Sequence, residues 1–198
     1  MDLKLKRSYS VLLVSSSEKM NQTFAGLLPK SRYDEIVQAG DSMAARRYLV
    51  ERSFDIVVIN APLADASDES GFELALDIVN KTASGALLFV KAENYPAAYS
   101  KVAPYGVLVI SKPTTSSAIL TAMTLLCGTR ERLRRMEKRA ESLEERMSQI
   151  RVVNQAKLVL IERDHMTEAQ AHRYLEKQAM DHGVSKRTIA ENVLSADR

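Results

Sequence analysis

Five short β-branched runs alternating with amphipathic segments of crossover length predict an α/β fold built on a parallel sheet. A long proline-free stretch and two further capped segments predict a helical extension after it. The expected strands cover residues 10–14, 35–39, 55–60, 86–91 and 107–112. Residues 11–14 and 56–59 are apolar throughout, as befits central strands buried on both faces. The intervening helices are expected at roughly 18–28, 42–52, 70–82 and 95–103. Ser70-Gly71-Phe72-Glu73 has capping-box form and marks the start of the third.

After Lys112-Pro113 the pattern changes. From Ser116 to Arg163 there is no proline, and Gly128 is the only glycine. Apolar or small residues recur at Leu133, Met136, Ala140, Leu143, Met147 and Ile150, alternately three and four apart. The same register puts Asn154 at an a position, Lys157 at d and Ile161 at the next a. A helix of this length, roughly 70 Å, cannot bury itself. It either folds back on its own protein or pairs, and the heptad spacing favours a parallel homodimeric coiled coil with Asn154 fixing a two-stranded register. Thr167-Glu168-Ala169-Gln170 then caps a helix that ends at Gly183. Ser185 caps a last helix whose apolar stripe is Ile189, Ala190, Val193 and Leu194. The expected division is an α/β domain at 1–115, a coiled-coil linker at 116–151 and a three-helix module at 152–198.

Bulk composition restricts the function. The 198 residues are 45% hydrophobic and 27% charged, the balance of a soluble globular protein. No apolar run reaches the roughly 20 residues that span a bilayer, and the basic N-terminus has no apolar segment behind it. A cytoplasmic location is expected, and the lone Cys127 excludes an intramolecular disulfide framework. Residues 1–128 carry 13 basic and 13 acidic side chains, so the whole net charge of +3 lies beyond them, a weak pointer to a polyanionic partner. No nucleophile–base pair, metal-ligand spacing or glycine-rich phosphate loop is evident. Neither a cofactor nor a metal is expected, and the pattern points away from an enzyme.

Over about the first 120 residues the pattern resembles the receiver domain of response regulators, a flavodoxin-like (βα)5 fold. The landmarks are Val11-Leu12-Leu13-Val14, Asp55-Ile56-Val57-Val58-Ile59 and Val109-Ile110-Ser111-Lys112-Pro113. The resemblance implies an acidic Mg²⁺-binding pair after the first strand, an acceptor aspartate after the third, a hydroxyl after the fourth and a lysine after the fifth. The residues at those positions are Ser15 and Ser16, Asn60, Lys91 and Lys112, so only the lysine fits. Serine is a poor Mg²⁺ ligand beside a carboxylate, and an amide is not the nucleophile that a carboxylate is. Asp65 and Asp68 lie too far along to replace Asn60. The expectation is a receiver without phosphorylation chemistry that scaffolds a dimer, docks a signalling protein or senses a small ligand. Lys91 and Lys112 would face an anion, or Lys91 would simply reach solvent.

Residues 152–194 resemble the ANTAR output module. The resemblance rests on Ala156-Lys157, Glu168 and Ala171, Gln178-Ala179-Met180, and Ala190. It implies a dimer that recognises paired stem-loops in leader RNA and favours an antiterminator over a terminator. Periodicity adds detail. With Ala171 as reference on its helix, Tyr174, Leu175, Gln178 and His182 fall within about 60° and are expected inward, while Met180 falls near 180° between Arg173 and Glu176. An exposed methionine with Arg173 and Lys177 beside it suits RNA, which offers bases and phosphates together. Met180 packing against the last helix is the alternative, and Tyr174 reads equally well as core or as a base-stacking residue. Lys157 at a d position implies that paired helices diverge there, freeing its ammonium for RNA. Lys186 and Arg187 open the last helix, where backbone N–H groups favour phosphate. The expected RNA-binding set is therefore Lys157, Arg173, Lys177, Gln178, Ala179, Met180, Lys186 and Arg187. Two other readings stand beside RNA: a DNA-binding regulator, since Asp181-His182-Gly183-Val184-Ser185 makes a helix–helix turn, and a protein scaffold free of nucleic acid.

Overall fold

The computed structural model describes residues 7–64 and 68–196, with the side chains of 68–70 excepted. The chain divides into two compact units, one ending at Arg134 and the next beginning at Arg135. In the first, β1 (Ser10–Val14), β2 (Glu35–Ala39), β3 (Ile56–Asn60), β4 (Gly85–Lys91) and β5 (Leu108–Lys112) form one parallel sheet in the order β2-β1-β3-β4-β5. Both faces of its central strands are buried. Leu12, Val14, Val57, Ile59 and Leu88 meet Ala45 of α2 (Ser42–Glu51), Leu74 and Ile78 of α3 (Asp68–Lys81), and Ala98 of α4 (Tyr95–Val102). Val11, Leu13, Val58, Leu87 and Phe89 meet Phe24 of α1 (Glu18–Leu27) and the first turns of α5 (Ser116–Asp164). The chain reverses its direction across the sheet between β1 and β3. A crevice is expected at the carboxyl ends of strands where such a reversal falls.

Two expectations need correction. Helix α3 begins at Asp68, two residues before the Ser70 cap that the sequence suggested. Gly71 is therefore inside the helix, and its role is close approach: a Cβ there would lie 3.1 Å from the Cβ of Ala61. Asp65 and the side chains of Asp68 and Ser70 lie outside the described residues. The second correction concerns α5. Its first turns are a covering layer of the sheet, since Ile119, Ala122, Met123, Leu126 and Cys127 are all buried. Leu126 presses on Gly85, where a Cβ would come within 3.0 Å of it. Burial pushes the Cys127 thiol up, so this cysteine is an inert packing group.

A polar clamp holds α5 where it leaves the sheet. Asp55, just before β3, is 8% exposed and accepts a hydrogen bond from the Ser10 backbone N–H at 3.1 Å. Its other oxygen pairs with Arg134 and lies 3.7 Å from Nε of Arg130. Sequence reading gave Asp55 no part in a clamp, because its arginine partners lie 75 and 79 positions further along the chain.

The second unit packs the end of α5 against α6 (Glu168–His182) and α7 (Lys186–Ser195). Thr167 and Gln170 exchange both bonds of the expected capping box, and Ser185 accepts from the Thr188 N–H. Gly183, at φ 64°, ends α6 in the left-handed region, where glycine carries no Cβ penalty. The core is Ala156, Leu160, Ala171, Leu175, Ala179, Ile189, Ala190 and Val193. Half of these are alanines, which let helix backbones approach closely. Small residues at the marked positions are thus spacing devices for the end of α5 and two short helices.

Candidate nucleic-acid interface

The expected interface residues divide between separate surfaces. Lys157 lines a cleft of about 330 Å³ together with Gln149, Asn154, His172, Ser185, Lys186 and Arg187. Arg173 and Lys177 line another of about 440 Å³ with Asp164, His165, Gln170 and Tyr174. The two clefts share no lining residue. Gln178 lines a third cavity, bordered on one side by Tyr174. Met180 lines none of these and stands 82% exposed on α6, as the periodicity predicts.

Ala179 does not face solvent. It is buried with Ala171 and Leu175, forming a stripe four residues apart along α6. That stripe centres roughly 40° from Ala171, so Tyr174, about 100° from the centre, is left 38% exposed. His182 is exposed too, because it sits in the last turn of α6. Both were expected inward.

Charge separates the clefts further. In the first, every lysine and arginine is already held by a carboxylate. Lys157, its side chain only 16% exposed, pairs with Glu168 at 3.2 Å. Sequence reading expected it free; instead the start of α6 supplies its counter-ion. Lys186 pairs with Glu176 and holds that carboxyl below the usual carboxylate range, and His172 Nε2 lies 3.3 Å from the same oxygen. Arg187 donates to Glu191 at 2.7 Å. In the second cleft Arg173 and Lys177 have no ion pair among the described residues, and the Asp164 carboxylate is engaged bidentately by Arg163 at 2.9 Å. Sequence reading missed the cleft-lining positions of His165, Gln149, Asn154 and His172. For Tyr174 the sequence left core and base-stacking open, and the structure lines the second cleft with it.

The site expected on the α/β unit closes on itself. Asn60 Nδ2 donates to Ser15 Oγ at 3.1 Å, and Lys112 Nζ donates to Asn60 Oδ1 at 2.8 Å and to the Ala61 carbonyl at 2.5 Å. Ser15 and Asn60 are buried, whereas Ser16 is exposed on the rim of a cavity of about 520 Å³ beside Lys19, Thr23 and Thr114. Lys91 is not part of that lining. Its exposed ammonium lies 3.6 Å from Glu93, so it does not face Lys112 across a pocket. Among the described residues no helix is long and apolar enough to cross a membrane, and no cluster of three or more His, Cys, Asp or Glu could hold a metal.

Residues 141–194 match the ANTAR domain family. The transcriptional regulatory protein PdtaR of Mycobacterium tuberculosis is 22% identical over 185 residues, 93% of this chain and 88% of that protein. The aliphatic amidase regulator of Pseudomonas aeruginosa is 29% identical over 86 residues, 43% of this chain and 44% of the regulator. Among solved structures, the signal receiver domain of an HD domain-containing protein from Pseudomonas fluorescens superposes with a TM-score of 0.56 at 22% identity, over 68% of this chain and 97% of that one. The response regulator CheY4 of Vibrio cholerae gives 0.51 at 19% identity, over 61% and 99%. The C-terminal module is an ANTAR domain, and the N-terminal unit has the receiver fold.

Proposed function

We propose that this chain is an RNA-binding transcription antitermination regulator that works as a homodimer, with a receiver-like domain that does not take phosphate. The observation that carries the reading is the ANTAR match across a module whose Arg173, Lys177 and Met180 face solvent free of carboxylate partners among the described residues. Cations supply the sequence-independent part of RNA affinity, and exposed apolar groups meet unstacked bases. Filter binding at stated salt tests it: structured hairpin RNA should be retained in preference to duplex DNA. Equal retention would favour a DNA reader, and retention of neither would favour a protein scaffold.

Pairing is supported by the seam of α5. Met136, Leu143, Met147 and Ile150, all on the heptad seam, are 54–60% exposed. A second copy of the same helix covers such a seam in register. We infer that the paired segment runs from beyond the turns packed on the sheet to about residue 151, and that each dimer presents two modules to two hairpins.

The inert receiver is supported by Asn60, whose amide bridges Ser15 and Lys112 where the resemblance calls for an acceptor carboxylate. The amide satisfies both neighbours without metal or phosphate, so this domain would serve as scaffold or docking surface. Incubation with acetyl phosphate and Mg²⁺ should add no mass to the protein. A stable phosphate adduct on an aspartate between 55 and 68 would contradict this.

A further inference from the structure

Two of the clefts in the helical module are built to different specifications. In the cleft beside the start of α7, each cation must give up a carboxylate before it can meet a phosphate. In the cleft of about 440 Å³ on α6, Arg173 and Lys177 have no such partner among the described residues, and the one lining carboxylate, Asp164, is already held by Arg163. An aromatic ring stands between the two cations in sequence. Tyr174 lies off the buried stripe and is 38% exposed, and it lines both this cleft and the neighbouring cavity that Gln178 lines. His165, which follows α5 at φ 51°, lines the same cleft.

An exposed aromatic face flanked by uncompensated cations is the combination that captures a splayed base. Every base has a π-face, and the phosphates on either side of it need positive charge. Tyrosine adds a hydroxyl that can meet a base edge, and the volume is of the order that holds a small ligand. We propose that an unpaired base of the RNA loop stacks on Tyr174 in this cleft, with His165 at its edge and the adjoining phosphates on Arg173 and Lys177. Tyr174 would then be a specificity-determining residue, and the cleft at α7 a secondary phosphate contact. This assignment rests on the RNA-binding reading above.

The test uses the full-length protein and a pool of hairpins with one fixed stem and randomised loops. Hairpins retained by the wild type are remade with 4-thiouridine in the loop, crosslinked by light and mapped by mass spectrometry. Adducts should fall on the segment 165–177, with Tyr174 the leading site. Tyr174→Ala should bind the selected hairpins roughly 10- to 100-fold more weakly, the scale of one lost stacking contact, with the salt slope unchanged. Tyr174→Phe should stay within about twofold of wild type, since the π-face is kept. Arg173→Ala and Lys177→Ala should instead flatten the slope by about one unit each. Adducts confined to 149–157 and 185–187, with Tyr174→Ala binding as wild type, would overturn the cleft assignment and leave RNA binding standing. If the wild type retains no hairpin from the pool, the RNA reading fails and the cleft assignment with it.

Discussion

The receiver-like unit and the ANTAR module treat their polar groups in opposite ways. At the carboxyl ends of β1, β3 and β5, Asn60 bridges Ser15 and Lys112. On α6 of the module, Arg173 and Lys177 have no ion pair among the described residues, and Met180 is the large apolar side chain left 82% exposed. A pocket whose donors and acceptors are mutually paired has little to gain from an anion. A surface with free cations and an unburied methionine gains from any partner that brings phosphate and bases. The difference is the one that the proposed function requires, with the module and not the receiver pocket meeting the ligand.

The pairing seam offers the largest effect. Charged residues at Leu143 and Ile150 should give monomers by sedimentation and remove the effective-concentration advantage on a two-hairpin RNA, a loss of about 10²–10⁴ in affinity. Wild type that is already monomeric would place α5 back on its own chain. Next comes the contrast between the module's core and its surface. Leu175 is 1% exposed, so Leu175→Ala should cost about 2–5 kcal/mol in denaturant unfolding, whereas Met180→Ala should change stability by less than about 0.5 kcal/mol. Met180→Ala should still reduce discrimination between matched and mutated loops. A comparable loss of stability from both would mean that Met180 is a packing residue. The smallest effect concerns the guarded cleft. Glu176→Gln removes the carboxylate facing Lys186 and His172, so it should tighten binding to every hairpin by about twofold to fivefold, the worth of one exposed ion pair. Unchanged affinity would remove that cleft from the interface.

The sheet was readable from sequence because strands buried on both faces leave uninterrupted apolar runs. All five were located to within one residue at their ends. The caps at Thr167 and Ser185 were equally plain, since their side chains bond only three residues away. What escaped depends on contacts far apart in the chain. The clamp of Asp55 on Arg134 joins positions 79 residues apart, and the close approach of Gly71 to Ala61 likewise joins separate elements. Within the module, taking Ala171 as the centre of the inward face put Tyr174 and His182 inward, and the family resemblance put Ala179 in the interface. The packed stripe of Ala171, Leu175 and Ala179 buries Ala179 and leaves Tyr174 38% exposed. The ion pairs of Lys157 and Lys186 cross loops at Asp164–Thr167 and Gly183, so a helical wheel drawn for one helix cannot show them.

The central claim is that the ANTAR module reads RNA and that two copies of it act together. Equilibrium binding of the unmodified full-length chain to an RNA with two hairpins, and to each hairpin alone at the same salt, tests both parts at once. The account predicts that the two-hairpin RNA binds at least about 10²-fold more tightly than either single hairpin. Equal affinity for one and two hairpins would contradict it.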